Sequence, residues 1–179
     1  GQVARGWPDG KNKDTGAVAP LLELLKDKDM EVRAQAAKVL GEAAYSPSLE
    51  PLITLLNDSS LRVRFNVAVA LGKLKSAKAI QPLLELVREN DDEDAFLRHG
   101  AVMGLVGSTK ANPKVLLETT SSPHSSVRLA AILALRRHDY PGISSFLKDG
   151  DLYLVTETAR AIHDDFSIPD ALPALAEVL

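Results

Sequence analysis

The chain has 179 residues, of which 45% are hydrophobic and 25% charged, so it is long enough for a domain with a sizeable core and too apolar to be disordered. The formal net charge of -3 provides no broad basic field, which argues against nucleic acid as a partner. The absence of cysteine excludes disulfides and thiolate sites within these residues, and no apolar run approaches the roughly 20 residues that span a bilayer.

The first 19 residues, "GQVARGWPDGKNKDTGAVA", are rich in glycine and show no helical periodicity. We expect an irregular leader over residues 1–19. Trp7 lies in this leader, and so large an apolar side chain is costly to leave exposed. We therefore expect it to cover the open end of the following domain or to fold against something upstream.

From residue 20 onward the pattern predicts pairs of helices. The first helix of each pair is marked by a proline, which suits the first helical turn because its missing N–H would have no partner there. "PLLELLKD", "PLITLLND" and "PLLELVRE" are the clear copies, while "PKVLLETT", "PGISSFLKD" and "PALAEVL" are looser. In chain order these six copies begin at Pro20, Pro51, Pro82, Pro113, Pro141 and Pro173.

The second helix of each pair carries apolar or small residues at offsets 0, 4 or 5, and 8, which fall on one helical face. Polar turns rich in Asp and Ser, which cap helices, separate it from the first helix. The aligned segments are "VRAQAAKVLG", "VRFNVAVALG", "LRHGAVMGLV", "VRLAAILALR" and "LVTETARAIH", beginning at Val32, Val63, Leu97, Val127 and Leu154.

A single helix pair cannot bury its apolar face, so the pairs are predicted to stack. The predicted fold is all-α: a right-handed α-α superhelix, or solenoid, of about five helix pairs plus a partial sixth, over residues 20–179. The predicted units are 20–45, 46–76, 77–108, 109–138, 139–166 and the partial unit 167–179.

The core D-x-x-V-R-x-x-A-A-x-x-L-G, seen as "DMEVRAQAAKVLG" from Asp29 to Gly41, resembles the HEAT-repeat family, especially the short type of phycobilisome-lyase-like proteins. The resemblance covers about Ala19 to Leu179 and recurs in register. It implies an α-solenoid, a fold that serves many roles.

Four further segments, "GWPDGK", "FLRHGAVMGLVG", "SSVRLAAILALRR" and "ARAIHDDFSIPDALPALA", together resemble the HEAT segment of large multidomain proteins from planctomycetes and related bacteria. Those proteins join a dehydrogenase propeller of the membrane or periplasm to a solenoid and then to a c-type haem domain. The resemblance implies that this chain is an excised middle segment located in the cell envelope. The absence of a C-x-x-C-H motif agrees with a haem domain beyond Leu179.

His99 is the residue closest to a metal-binding pattern. In the HEAT-like deoxyhypusine hydroxylases, His-Glu steps at helix starts bind a di-iron centre, but Gly100 stands here where Glu would be. The equivalent positions of the other units supply no ligands, and a metal site needs several that converge. We predict no metal and no cofactor, and we expect His99 to pack against the next unit.

Three other polar runs are interpreted as solvated segments. "HDDF", His163 to Phe166, does not converge by spacing alone, because adjacent helical residues point in different directions. The acidic turn "ENDDED", Glu89 to Asp94, lacks the Gly and terminal Glu of a calcium loop. "RRHDY", Arg136 to Tyr140, places cations at a helix end, and partner binding stays open for it. With no nucleophile or phosphate-binding motif present, we predict no catalytic residues and no enzyme.

An arginine recurs after the aligned apolar residue in four successive units, and Val155 ends the row. One interpretation is an anion-binding stripe. The other is a structural ladder that bridges turn carboxylates or carbonyls, such as those around Asp29 and Asp58, between neighbouring units. Guanidinium geometry favours the ladder. Its members are Arg33, Arg64, Arg98 and Arg128.

The second helices are expected to line the concave inner surface of the solenoid, where offsets 3, 6 and 10 point away from the core. This surface becomes more apolar in the third and fourth units, and exposed apolar patches mark contact sites. The predicted partner-binding residues are Gln35, Lys38, Glu42, Asn66, Val69, Lys73, Met103, Leu133, Arg137 and Arg160.

These patterns predict a non-catalytic scaffold that binds another protein or neighbouring domains of the same polypeptide, with no nucleic acid and no membrane insertion. The narrower resemblance implies that it spaces a dehydrogenase-like domain from a haem domain. An alternative is an enzyme or cofactor-handling protein, by analogy with bilin lyases. A third possibility, DNA binding as in HEAT-like glycosylases, requires a basic concave stripe with aromatic residues, and Trp7 lies outside the repeats.

Overall fold

A computed structural model describes residues 15–164 and 168–178, and within these ranges all regular secondary structure is helical, without strands. The ten described α-helices are α1 (Thr15–Val18), α2 (Leu21–Leu24), α3 (Met30–Glu42), α4 (Leu49–Leu55), α5 (Leu61–Leu74), α6 (Ile80–Asn90), α7 (Ala95–Ser108), α8 (Ser125–Arg137), α9 (Leu152–His163) and α10 (Leu172–Ala176). Five 3₁₀ segments accompany them: Ser46–Ser48, Ala77–Ala79, Pro113–Ser121, Pro141–Lys148 and Pro169–Ala171.

The helices stack as pairs, as the hydrophobic pattern predicts. Each second helix packs on the next, in the order α3, α5, α7, α8 and α9, and each also packs on the first element of its own unit. The residues at the aligned apolar positions from the second unit onward are buried, among them Val63, Leu97 and Leu154. The all-α prediction is confirmed, and the core lies between a layer of first elements and a layer of second helices.

The first elements differ in detail from the prediction. Pro51 and Pro82 are the third residues of α4 and α6, because a short 3₁₀ segment leads into each helix. This position is still in the first turn, where the backbone N–H groups have no intrahelical partner.

The fourth and fifth units use 3₁₀ segments where α-helices were predicted. In Pro113–Ser121, the hydroxyls of Thr119, Thr120 and Ser121 donate to carbonyl oxygens three residues earlier. Such side chains compete with the backbone for hydrogen bonds and disfavour a continuous α-helix. Pro141–Lys148 contains one glycine and two serines, which have the same tendency.

Carboxylates cap three of the second helices. Asp29, Asp94 and Asp151 precede α3, α7 and α9, and their side chains accept hydrogen bonds from backbone N–H groups of the first turn. The predicted capping role of Asp in the turns is confirmed at these three positions. Each cap satisfies a donor that the helix itself leaves unpaired.

Glycines bring the second helices of the first three units into backbone contact. A Cβ added at Gly41 of α3 would lie 2.6 Å from the Cα of Ala70 on α5. A Cβ added at Gly72 of α5 would lie 2.7 Å from the carbonyl oxygen of Met103 on α7. These approaches are possible only because glycine has no side chain.

The leader that we expected to be irregular contains a short helix in its described part, α1, and Val18 at its end is 2% exposed. Burial of Val18 stabilises the ordered conformation of this segment. Trp7 and the rest of residues 1–14 lie outside the described residues, as do Asp165 and Phe166 of the "HDDF" run. Within the described ranges, no helix combines the length and the hydropathy needed to cross a membrane.

Candidate protein-binding surface

Two arginines of the predicted row bridge consecutive units in the same way. Arg33 donates from Nε and Nη2 to the two carboxylate oxygens of Asp58, at 2.7 and 2.9 Å, and from Nη1 to the carbonyl oxygen of Asp27 at 2.8 Å. Arg128 donates likewise to Asp149, at 2.7 and 3.1 Å, and to the carbonyl oxygen of Ser122 at 2.7 Å. Each guanidinium therefore ties its own turn to the turn of the next unit.

These bridges change the ionisation of their carboxylates. The hydrogen bond from Arg33 lowers the pKa of Asp58 and outweighs the opposing effect of burial. Burial acts to raise the pKa of Asp149, but hydrogen bonds from Arg128 and from the backbone N–H of Asp151 lower it further than burial raises it. Both carboxylates are thus held in their charged form.

The two middle arginines of the row behave differently. Arg64 contacts Oε2 of Glu89 from Nη2 at a long 3.4 Å, and its buried Nε has no hydrogen-bond partner among the described residues. Arg98 pairs with Asp92, which belongs to the turn of its own unit. Asp29, expected near the ladder, caps α3 and accepts no hydrogen bond from the described arginine side chains.

The sequence of the fourth turn accounts for this break. The residue five positions before the aligned apolar residue is an aspartate in four units and Ser122 in the fourth. Arg98 therefore has no carboxylate ahead of it and turns back to Asp92. Because Asp92 is then occupied, Arg64 is left with Glu89. The members of this turn position are Asp27, Asp58, Asp92, Ser122 and Asp149.

The ten predicted partner-binding residues are all exposed or partly buried, and the structure divides them among several surroundings. Gln35, Lys38 and Asn66 line one groove, and Leu133 and Arg137 line another. The other five form no part of either groove: Glu42 and Lys73 make a 3.7 Å ion pair, Arg160 pairs with Glu157 on its own helix, and Val69 and Met103 are partly buried.

The first groove, here called the phenylalanine groove, has a volume of about 410 Å³ and lies across α3, α5 and α7. Phe96 at its edge exposes 81% of its surface, and Leu61 is about half exposed. Its lining consists of Gln35, Lys38, Leu61, Arg62, Phe65, Asn66, Asp94, Phe96 and Leu97.

Phe96 and Leu61 belong to a row of exposed apolar side chains that the sequence analysis missed. These residues lie in the first turns of α3, α5, α7 and α9, one or two positions before the aligned apolar residue. The sequence does indicate this row, because an apolar residue one or two positions before the aligned one does not lie on the buried face of its helix. We call Met30, Leu61, Phe96, Leu152 and Tyr153 the exposed apolar row.

The second groove, the arginine groove, has a volume of about 560 Å³ and lies between α7 and α8. His99 lines it and is exposed, so the expectation that this side chain packs against the next unit is wrong. The next residue, Gly100, is the one packed closely against α5, since a Cβ there would lie 2.7 Å from the ring of Phe65. The lining is Ala95, Arg98, His99, Val102, Leu133, Arg136, Arg137 and Asp139.

The remaining polar runs do not converge on a centre. His138 of "RRHDY" is half-buried, hydrogen-bonds Thr109 at 2.9 Å, and has its pKa lowered by burial. His163 and Asp164 are exposed and 3.9 Å apart. In the acidic turn, Asp91 accepts a hydrogen bond from Ser126. Over the part of the chain that the structure describes, no three His, Cys, Asp or Glu side chains are grouped so as to hold a metal ion.

Stacked helix pairs with open grooves on the second-helix layer define a helical-repeat solenoid. Residues 18–106 match the family model for HEAT repeats. The resemblance to HEAT repeats seen in the sequence is confirmed over these residues.

Three solved structures share the fold over 90% of this chain. Two are engineered proteins, each 19% identical, with TM-scores of 0.51 and 0.53, and 97% and 98% of their chains covered. The third is the complex of CpcE and CpcF of phycocyanin lyase from Nostoc sp. PCC7120, which is 23% identical, with a TM-score of 0.54 and 68% of that chain covered. At such identities the likeness shows the fold alone. No curated protein sequence matches this chain significantly.

Proposed function

We propose that this chain is a non-catalytic scaffold that binds another protein, or a neighbouring domain of the same polypeptide, on its layer of second helices. The observation that carries the proposal is the exposed apolar row together with the phenylalanine groove. Two members of the row, Leu61 and Phe96, line the groove, and large apolar side chains exposed beside a groove are typical of a contact site. HEAT repeats in general act as scaffolds for protein interaction, and the proposal adds that the binding face of this chain is its layer of second helices.

Phe96 is the strongest candidate for an interface anchor. It is 81% exposed, so it contributes little to the core of its own unit. Burying a phenylalanine against a partner is worth about 2–3 kcal/mol, and aromatic side chains dominate the binding energy of protein interfaces. Gln35, Lys38 and Asn66 share the lining of the groove with Leu61, Phe65 and Leu97, and protein interfaces combine apolar and polar groups in this way.

The grooves favour binding over catalysis. Among the described residues, no serine, threonine or cysteine lines either groove, so the described linings offer no hydroxyl or thiol nucleophile. The bilin-lyase alternative draws only on the shared fold, since the lyase activity belongs to the Nostoc complex. It predicts that purified protein mixed with a bilin shows a shifted visible absorbance band, whereas the scaffold proposal predicts an unchanged spectrum.

We also propose that the six units predicted from the sequence are the building blocks of this scaffold, and that it sits between a dehydrogenase-like propeller and a c-type haem domain in a cell-envelope protein. The support is the resemblance of the four quoted segments. Sequencing the complete gene tests the proposal: a propeller before and a C-x-x-C-H motif after these residues is the expected result, and different flanking domains would refute it.

Site-specific crosslinking tests the docking face. A photoreactive phenylalanine analogue replaces Phe96 in one variant and Lys78 in a control variant. Lys78 is also exposed but lies on the layer of first elements. We expect a discrete crosslinked partner from position 96 and none from position 78.

The captured partner is then purified, and its affinity is measured for the parent chain and for Phe96→Ser. The scaffold proposal requires that Phe96→Ser weakens binding at least tenfold, the equivalent of about 1.4 kcal/mol. Equal crosslinking at both positions, or equal affinity of both chains, would refute the assigned face.

A further inference from the structure

The arginine groove carries positive charge that the fold itself does not use. Arg137 ends α8, is exposed, and has no ion pair or hydrogen bond to any described residue. The other eight described arginines all contact a carboxylate. An arginine left unpaired at the edge of a cavity is available to an external anion.

The break in the arginine row adds a second cation to the same groove. Because Ser122 provides no carboxylate, Arg98 is not held between units as Arg33 and Arg128 are. Arg98 pairs instead with Asp92, and both side chains of this pair are about one third exposed. Arg98 also lines the arginine groove. Exposed ion pairs of this kind contribute little to stability, so a ligand carboxylate competes with Asp92 readily.

The rest of the lining indicates what kind of anion fits. Val102 and Leu133 supply apolar surface between the cationic groups, and His99 adds a further hydrogen-bonding group. Asp139 lies on the lining, while Asp92 and Asp164 pair with Arg98 and Arg136 beside it. These carboxylates would repel the continuous phosphate backbone of a nucleic acid, whereas a peptide with spaced carboxylates and aliphatic side chains matches both features of the groove.

We propose that the arginine groove binds an acidic, leucine-containing segment of a partner protein. Arg137 and Arg98 take the carboxylates of that segment, and Val102 and Leu133 contact its aliphatic side chains. This inference rests on the proposed scaffold function and adds the chemistry of the partner. It concerns a groove between α7 and α8, which is separate from the phenylalanine groove.

The test uses a short fluorescein-labelled peptide of alternating Glu and Leu, with fluorescence anisotropy as the measurement. A matched peptide with Gln in place of Glu is the control ligand. We expect the Glu peptide to bind at least tenfold more tightly, and its affinity to fall when NaCl is raised from about 0.05 to about 0.5 M.

Arg137→Gln and Arg98→Gln are each expected to weaken binding about tenfold, the usual range for a lost charged hydrogen bond at a partly exposed site. Arg88→Gln is the matched control, because Arg88 lies on α6 in the other layer and loses the same charge. Arg137 makes no hydrogen bond or ion pair with a described residue, so its variant keeps the test valid even where Arg98→Gln perturbs folding.

Equal binding of the Glu and Gln peptides, unchanged affinity in Arg137→Gln, or no binding at millimolar peptide would overturn the proposal. Inorganic phosphate or duplex DNA that competes as well as the Glu peptide would also overturn it, because the groove would then be a general anion site. The peptide assay and the crosslinking at position 96 probe different grooves, whose described linings share no residue. Failure of the peptide with successful crosslinking at position 96 would therefore reject the groove assignment and leave the scaffold function standing.

Discussion

Gly72→Ala tests whether the backbones of α5 and α7 are in direct contact. The added Cβ would lie 2.7 Å from the carbonyl oxygen of Met103 and 2.9 Å from the Cα of Gly104. Both are backbone atoms, so a whole helix must shift. Overpacking costs about 1–3 kcal/mol, while replacing glycine by alanine inside a helix gains about 1 kcal/mol. A backbone clash belongs at or above the upper end of that cost, so we expect a net loss of about 2 kcal/mol.

Urea and thermal unfolding followed by far-UV circular dichroism measure this loss. For a chain of this length, about 2 kcal/mol lowers Tm by roughly 4–8 °C. Gly150→Ala is the matched control, because a Cβ at Gly150 meets nothing within 4 Å. We expect it to be neutral or to stabilise by up to about 1 kcal/mol, since alanine restricts the unfolded chain more than glycine does.

The refuting result is a Gly72→Ala chain that is as stable as the parent or more stable. Alanine would then act only through helix propensity, and α5 and α7 would be separated by ordinary side-chain distances. The close contact of second helices, on which the layered fold depends, would be wrong.

Three further changes follow from the ladder and the surface. Ser122→Asp should give Arg98 the carboxylate that Arg33 and Arg128 already have, raising the free energy of unfolding by about 0.5–1 kcal/mol; urea unfolding measures the gain, which must vanish in an Arg98→Gln background. The pKa of Asp149 is lowered in the folded state, so its stabilisation is present above the ordinary value near 4 and is lost as pH falls through the folded value. Asp149→Asn should therefore flatten the decline of Tm below about pH 4, and an unchanged slope would contradict the bridge. Phe96→Ser should change stability by less than about 0.5 kcal/mol, because the side chain is 81% exposed; a larger fall in Tm would mean that Phe96 serves the core.

The helical layers were predictable because their signal repeats. The residues at the aligned positions from Val63 onward are buried in successive units, and the 3.6-residue period places them on one face whatever the turns do. The prediction was wrong where it placed an α-helix after every proline, since a proline suits a first helical turn but does not determine whether an α-helix follows. In the fourth and fifth units, Thr, Ser and Gly residues favour a 3₁₀ helix over an α-helix.

The surface was predictable only in part. Offsets counted from the aligned apolar residue selected Gln35, Lys38 and Asn66, which line the phenylalanine groove, because these residues lie in the regular middle of their helices. The count ignored the first turn, where Leu61 and Phe96 are apolar without being buried. Their exposure depends on how the neighbouring turns pack, which a period along a single helix does not encode.

The interrupted arginine row shows a different limit. The spacing alone predicted an equivalent role for all four arginines, but the bridging carboxylates of Arg33 and Arg128 are supplied by the following unit. Arg98 has Ser122 at that place in the following unit and pairs within its own unit instead. Ser122 was visible in the sequence, but only the structure shows that its hydroxyl accepts a hydrogen bond from the N–H two residues later, as the carboxylates of Asp58 and Asp149 do. A repeat must therefore be interpreted together with its neighbour.

The glycine contacts also limit how such a chain can be rearranged by duplication or recombination. Gly41 and Gly72 occupy the ninth position after the aligned apolar residue in the first two units, whereas the fourth unit has Arg136 there. Copying the second helix of the fourth unit into the place of the second would bring a guanidinium stem against the backbone of Gly104. Neighbouring units of this protein therefore fit together only as matched pairs, and a new repeat avoids a clash only at an end of the stack or together with the surface that receives it.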